Sequence, residues 1–204
     1  GLVHNGIIEN FVDLREELAG YGFSPTSDTD TETVAMLTQH HILNRSSPIE
    51  AVDKTLAALR GTFALVFLFQ GEEDLMIAAR KGSPLAIGYG DSEMFVGSDA
   101  IALAPLTDRI CYLEEGDRAV LRRSHVDITD ANGKTVNREI SHIQFDSARV
   151  NKVGYKYFMA KEIAEQPSML HNLLNAYLAA DAQKIMLPNK MPDFSKIERI
   201  TMIA

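Results

Sequence analysis

Thr62-Phe63-Ala64-Leu65-Val66-Phe67-Leu68-Phe69-Gln70 is an unbroken apolar run between polar ends, flanked by Gly61 and Gly71. A short apolar run of this kind, rich in aromatic and branched side chains and bounded by glycine, reads as a buried β-strand. Segments 74–80, 85–89, 93–97, 109–113, 118–123 and 125–129 repeat the pattern downstream. Gly82-Ser83-Pro84, Glu115-Gly116-Asp117 and Asn132-Gly133 mark turns between them. A short helix is predicted at 99–104, between Ser98-Asp99 and Pro105. Upstream the period is helical. Ile7, Phe11, Leu14 and Leu18 form one stripe after an Asn5-Gly6 turn, closed by Gly20 and Gly22. Thr29 to Glu32 carries helix-start residues for a second helix reaching about Asn44. Ser47-Pro48 opens a third, whose buried face is Ile49, Val52, Leu56 and Leu59. Beyond about 145 come a helix from Phe158 to about Ala180, a polar connector with Pro188 and Pro192, and the start of a strand at 197–204. Helices, then consecutive strands, then helix again predict a layered α+β domain with antiparallel sheets, because the helix-strand alternation of a parallel doubly wound sheet is missing.

Composition narrows the function. The 204 residues are 46% hydrophobic and 24% charged, the balance of an ordinary globular protein. A net charge of -8 and a pI near 5.2 leave no basic footprint for nucleic acid or an anionic membrane surface. No apolar run reaches the roughly 18 residues of a membrane span. One cysteine, Cys111, excludes an internal disulfide and suits a reducing compartment, so a cytoplasmic location is expected. Within the alternating segment Ile110-Cys111-Tyr112-Leu113 it reads as a small buried hydrophobe. Leu2-Val3 looks like the tail of a strand already under way, so a segment upstream of Gly1 is expected.

Three features bear on chemistry. Val3-His4-Asn5-Gly6-Ile7-Ile8-Glu9-Asn10 holds an Asn-Gly pair that is either a plain turn or a set of preorganised donors for an oxyanion. Ser27-Asp28-Thr29-Asp30-Thr31-Glu32 places carboxylates at a helix start, where they cap the helix or meet the α-ammonium of an amino acid. His40 and His41 are adjacent and point about 100° apart on a helix, which is not the spacing of a metal pair, so no metal is assigned.

The string HNGIIEN at 4–10, followed by SDTDTE at 27–32, resembles the glutaminase domain of the glutamine:fructose-6-phosphate aminotransferase family. AARKGSPLAIGYG at 78–90, VGSDAIAL at 96–103, YLEEGD at 112–117 and KYFMAKEIAEQP at 156–167 extend the similarity in order and spacing. KIERITMIA at 196–204 is similar to the first strand of that family's sugar isomerase domain. The resemblance implies a four-layer α/β/β/α sandwich of the N-terminal-nucleophile hydrolase type, truncated at its N-terminus. It divides the chain into a glutaminase region at 1–145, a linker helix and connector at 146–196, and a truncated isomerase domain from 197. It implies that Asn5 and Gly6 form the oxyanion hole, that Asp30 holds the amino group of glutamine, and that the nucleophile is an N-terminal cysteine absent from this chain. It further implies fructose 6-phosphate as acceptor in the isomerase domain, glucosamine 6-phosphate as product, no cofactor, and a homodimer at full length; a piece lacking the nucleophile is expected to be inactive alone. Two alternatives stand beside it: another amidotransferase of the same fold, of the purine-pathway or asparagine synthetase type, and a non-catalytic binding domain that kept the fold.

Overall fold

The computed structural model describes residues 1–143, 152, 154–178, 197–199 and 201. The chain divides into two units, Gly1–Val150 and Asn151–Ala204. In the first, the elements run β1 (Leu2–Ile8), α1 (Phe11–Gly20), α2 (Asp30–Leu43), α3 (Pro48–Ala58), β2 (Gly61–Leu68), β3 (Met76–Lys81), β4 (Ala86–Tyr89), β5 (Met94–Gly97), α4 (Ala100–Leu103), β6 (Arg109–Tyr112), β7 (Arg118–Leu121), β8 (Val126–Thr129), β9 (Thr135–Val136) and β10 (Ile140–His142). Six strands form one sheet in the order β1-β2-β3-β7-β8-β9, and four form another in the order β10-β6-β4-β5. Neighbouring strands in both are antiparallel.

Alternation along β2 builds the layers. Phe63, Leu65 and Phe67 face one way and join Ile8, Leu14, Leu18, Val34, Leu37 and Val52, so α1, α2 and α3 cover that face of the larger sheet. Ala64 faces the other way, where Ala78, Ala119 and Leu121 meet Ile87, Cys111 and Leu113 in the space between the sheets. On the far side of the smaller sheet, Ala86 and Ile110 pack against Ala100 and Leu103 of α4. The result is the α/β/β/α order, with Ala64, Ala78 and Ala119 of the larger sheet leaving room for Ile87 and Leu113 between the two sheets. Leu65 is fully buried, and truncating it to alanine costs about 2–5 kcal/mol.

Local chemistry fixes the helix starts. Ser47 and Glu50 form a reciprocal capping box with Pro48 in the first turn of α3. Asp99 caps α4 through the Ile101 N–H at 2.7 Å. At α2 the outcome differs from expectation: Thr29 is the N-cap, but its side chain makes no capping bond. Glu32 instead reaches past it to the backbone and hydroxyls of Thr26 and Ser27, at 2.7–3.1 Å.

The larger correction concerns Asn5-Gly6. They do not form a turn ahead of a helix; both lie inside β1, paired with Ala64 and Phe63. Gly6 has φ +138°, and a Cβ there would lie 2.1 Å from the Thr62 carbonyl oxygen, so glycine lets the strand continue through a distortion no side chain fits. Ile7, counted in the helical stripe, is therefore an exposed strand residue, and α1 starts at Phe11. Strands β9 and β10 have two and three residues, too few to give an alternation in sequence.

In the second unit, α5 spans Phe158–Tyr177 with Pro167 inside it. Proline has no N–H to donate to the carbonyl four residues earlier. The polar connector around Pro188 and Pro192 lies outside the described residues, as does half of the strand predicted at 197–204.

Candidate active site

Strand β1 ends the order of the larger sheet, and its pairing with β2 decides which of its backbone groups are spent. The Glu9 N–H donates to the Arg60 carbonyl at 2.9 Å, and the Gly1 carbonyl accepts from the Leu68 N–H at 2.9 Å. Odd-numbered positions thus turn their backbone groups toward β2. Successive residues of a strand direct these groups to opposite sides. His4, Gly6 and Ile8 consequently present their N–H groups to the outer edge. The Ile8 N–H confirms the phase, since it donates to Asp30 Oδ2 at 2.8 Å. Gly6, two residues away on the same side, has its N–H at that edge, and the Asn5 side chain is exposed beside it.

Asp30 is the first residue of α2, where the helix dipole favours a carboxylate. One of its oxygens is held by Ile8. The other, Oδ1, lies 3.6 Å from His4 Nδ1, an approach rather than a hydrogen bond, and the side chain keeps 21% of its exposure. The carboxylate is therefore fixed in place with acceptor capacity left over. Of the three residues that the sequence singles out, Asn5 and Gly6 lie on β1, and the structure brings Asp30 onto the same strand.

Residues around them were not anticipated. Arg15 of α1 donates through Nε to Thr33 Oγ1 at 2.8 Å and through Nη2 to the carbonyls of Ser27 and Thr29, at 3.0 and 2.6 Å. It ties the loop before α2 to both helices. The four donors from Thr26 and Ser27, the Thr26 hydroxyl foremost, hold the Glu32 carboxyl down at about 2. His4 keeps only 3% of its side-chain surface exposed, with Nδ1 3.0 Å from Thr31 Oγ1 and Nε2 without a partner among the described residues. A lone histidine before Asn-Gly carries no signal of such a role in sequence; the phase of the strand, set by its pairing with β2, turns it toward α2.

Other candidates lie elsewhere. Cys111 is fully buried between the sheets, and burial pushes its thiol up from the usual value, the opposite of an activated nucleophile. His40 stacks on Tyr21 at 4.3 Å, and desolvation lowers the neighbouring His41. Among the described residues, no three His, Cys, Asp or Glu side chains gather as a metal site, and no helix is long and apolar enough to cross a membrane.

The chain is 50% identical over 204 residues to a glutamine–fructose-6-phosphate aminotransferase (isomerizing) of Bradyrhizobium diazoefficiens, covering all of this chain and 34% of that protein. It is 49% identical over 203 residues to the protein of the same name from Brucella abortus, covering 33% of it. The chain thus spans about a third of the length of the curated relatives it matches. Among solved structures it is similar to glutamine phosphoribosylpyrophosphate amidotransferase from B. subtilis, with a TM-score of 0.54, 23% identity, and coverage of 66% of this chain and 29% of that one, which bears on the fold alone. The family model described as a glutamine amidotransferase domain matches residues 1–105, more than half of the 204, and the chain belongs to that family.

Proposed function

We propose that this chain is the glutamine-hydrolysing part of an aminotransferase that makes glucosamine 6-phosphate and glutamate from fructose 6-phosphate and glutamine. On this reading residues 1–145 form the glutaminase region, 146–196 a linker, and 197–204 the start of a sugar isomerase domain, in a protein that acts as a cytoplasmic homodimer. The observation that carries it is the mooring of Asp30 on Ile8, two residues along β1 from Gly6. Two residues of strand span about 7 Å. An extended glutamine measures roughly 5 Å from its amino nitrogen to its carboxamide carbon by ordinary bond lengths. With a hydrogen bond at each end, one glutamine bridges the two: its α-ammonium on Asp30 and its carboxamide at Gly6 and Asn5.

The chemistry follows from what those groups offer. A thiolate adds to the carboxamide carbon, the carbonyl π electrons move to oxygen, and the resulting oxyanion accepts from the Gly6 N–H and the Asn5 side-chain amide. Collapse expels ammonia as the leaving nitrogen takes a proton, and water then hydrolyses the thioester to glutamate. Cys111, the one thiol in the sequence, is buried between the sheets and does not supply the thiolate. The test is Asn5→Ala in the complete gene product, with ammonia release as the readout. The expected result is a fall in kcat of about 100- to 1000-fold, the effect of losing one oxyanion donor, with KM for glutamine little changed; an unaltered kcat would overturn the assignment.

A further inference from the structure

We propose that His4 is a positioning residue that holds Asp30 in register for the α-ammonium of the amino-acid substrate. The proposal rests on the reading of Asp30 given above. His4 and Ile8 are the two positions of β1 that bracket Gly6 on its outer-edge phase, and both engage Asp30: Ile8 through its N–H to Oδ2 at 2.8 Å, His4 through Nδ1 at 3.6 Å from Oδ1. The same Nδ1 lies 3.0 Å from the hydroxyl of Thr31, the next residue of α2. One imidazole nitrogen therefore contacts two consecutive residues in the first turn of the helix.

The tautomer follows from the partners. With the proton on Nε2, a donor would be buried with nothing among the described residues to receive it, because that atom is enclosed and has no partner there. With the proton on Nδ1, the N–H donates to Thr31 Oγ1 and leans toward the Asp30 carboxylate, while Nε2 is left as a buried lone pair. An unmet acceptor is the more tolerated of the two orphans. The Nδ1–H form is thus assigned. In it the ring offers a positive edge to Oδ1 without the direct hydrogen bond that would occupy that oxygen. Oδ1 is steered and remains free for a ligand.

A histidine that merely filled space would act on stability and on every ligand alike. A positioning role instead predicts a loss specific to ligands that carry an α-amino group. Binding of L-glutamate and of glutarate, which lacks the amino group, is measured by calorimetric titration on the complete gene product and its variants. His4→Ala is expected to cut the preference for glutamate over glutarate by about five- to tenfold, the size of one ordinary hydrogen bond, with glutarate affinity unchanged. His4→Asn, whose amide nitrogen can stand where Nδ1 stands, is expected to recover most of that preference. Asp30→Ala is the control on the underlying reading, expected to abolish the preference. If Asp30→Ala leaves it intact, the assignment of Asp30 fails. If Asp30→Ala removes it while folded His4→Ala keeps it, the His4 proposal alone is overturned. Should His4→Ala not fold, His4→Leu, which fills the space without a ring nitrogen, decides: a preference cut by more than about twofold with glutarate affinity unchanged supports the role, and a preference held within about twofold overturns it.

Discussion

Asp30 and Asp117 are both held by the protein, and the two are held differently. Asp117, at the turn between β6 and β7, has a fully buried side chain that receives Arg138 Nε at 2.9 Å, Arg138 Nη2 at 2.8 Å and the Glu114 N–H at 2.7 Å. Arg138 carries a further ion pair to Glu114 at 2.7 Å, and the pairing raises the guanidinium above its usual value, with the Asp117 hydrogen bonds as the main cause. Asp30 receives one backbone N–H and keeps an oxygen open. A buried carboxylate whose lone pairs are filled by a bidentate arginine has nothing left to offer a ligand. A half-filled one at a strand edge does. Saturation, rather than the presence of an acidic side chain, separates the structural corner from the candidate site.

Removing each carboxylate tests that contrast. Asp117→Ala leaves Arg138, whose side chain is only 18% exposed, facing a vacated buried site. Breaking a buried pair from one side costs about 3–5 kcal/mol, and the exposed Glu114 recovers part of it, so a loss of about 3 kcal/mol in urea unfolding is expected. The glutamate preference should survive in the folded fraction. Asp30→Ala should do the reverse: it removes one backbone hydrogen bond at a partly exposed position, a cost of about 1 kcal/mol, while the amino-acid preference collapses. Equal losses of stability in the two variants would erase the distinction.

How much of this could be read beforehand depends on the range of the interactions. Residues 62–70 announced a strand because period and composition are local, and the Ser47-Pro48 start of α3 was legible for the same reason. Asn5-Gly6 misled because its strongest local meaning is a turn, whereas the continuous register from Leu2 opposite Phe67 to Ile8 opposite Gly61 overrode it. Asn5, Gly6 and Asp30 stood out through a resemblance to known motifs. The roles of His4 and Arg15 depend on which side of β1 faces out and on how α1 meets the loop before α2, and neither is encoded in spacing.

The smallest expected effect belongs to Glu32, which sharpens the comparison from a third side: a carboxylate saturated by its own loop, at the surface. Its carboxyl sits at about 2 in the folded chain against an ordinary 4.5, because the hydroxyls and N–H groups of Thr26 and Ser27 favour the charged form. A depressed carboxyl contributes stability that is fully present above its unfolded value and is lost as pH falls through the folded one. The relevant window therefore runs from about 4.5 down to about 2. Glu50, Asp108 and Asp130 are also lowered, so the acid unfolding of the wild-type chain alone does not isolate Glu32. The difference in Tm between the wild-type chain and Glu32→Gln does. It should be positive and level above about pH 5, then close progressively toward pH 2, because glutamine mimics the protonated acid that the wild-type chain acquires there. Solvent screens these surface bonds, so the shift is small. A gap that stayed constant down to pH 2 would mean that the charge of Glu32 contributes nothing to holding the loop before Asp30.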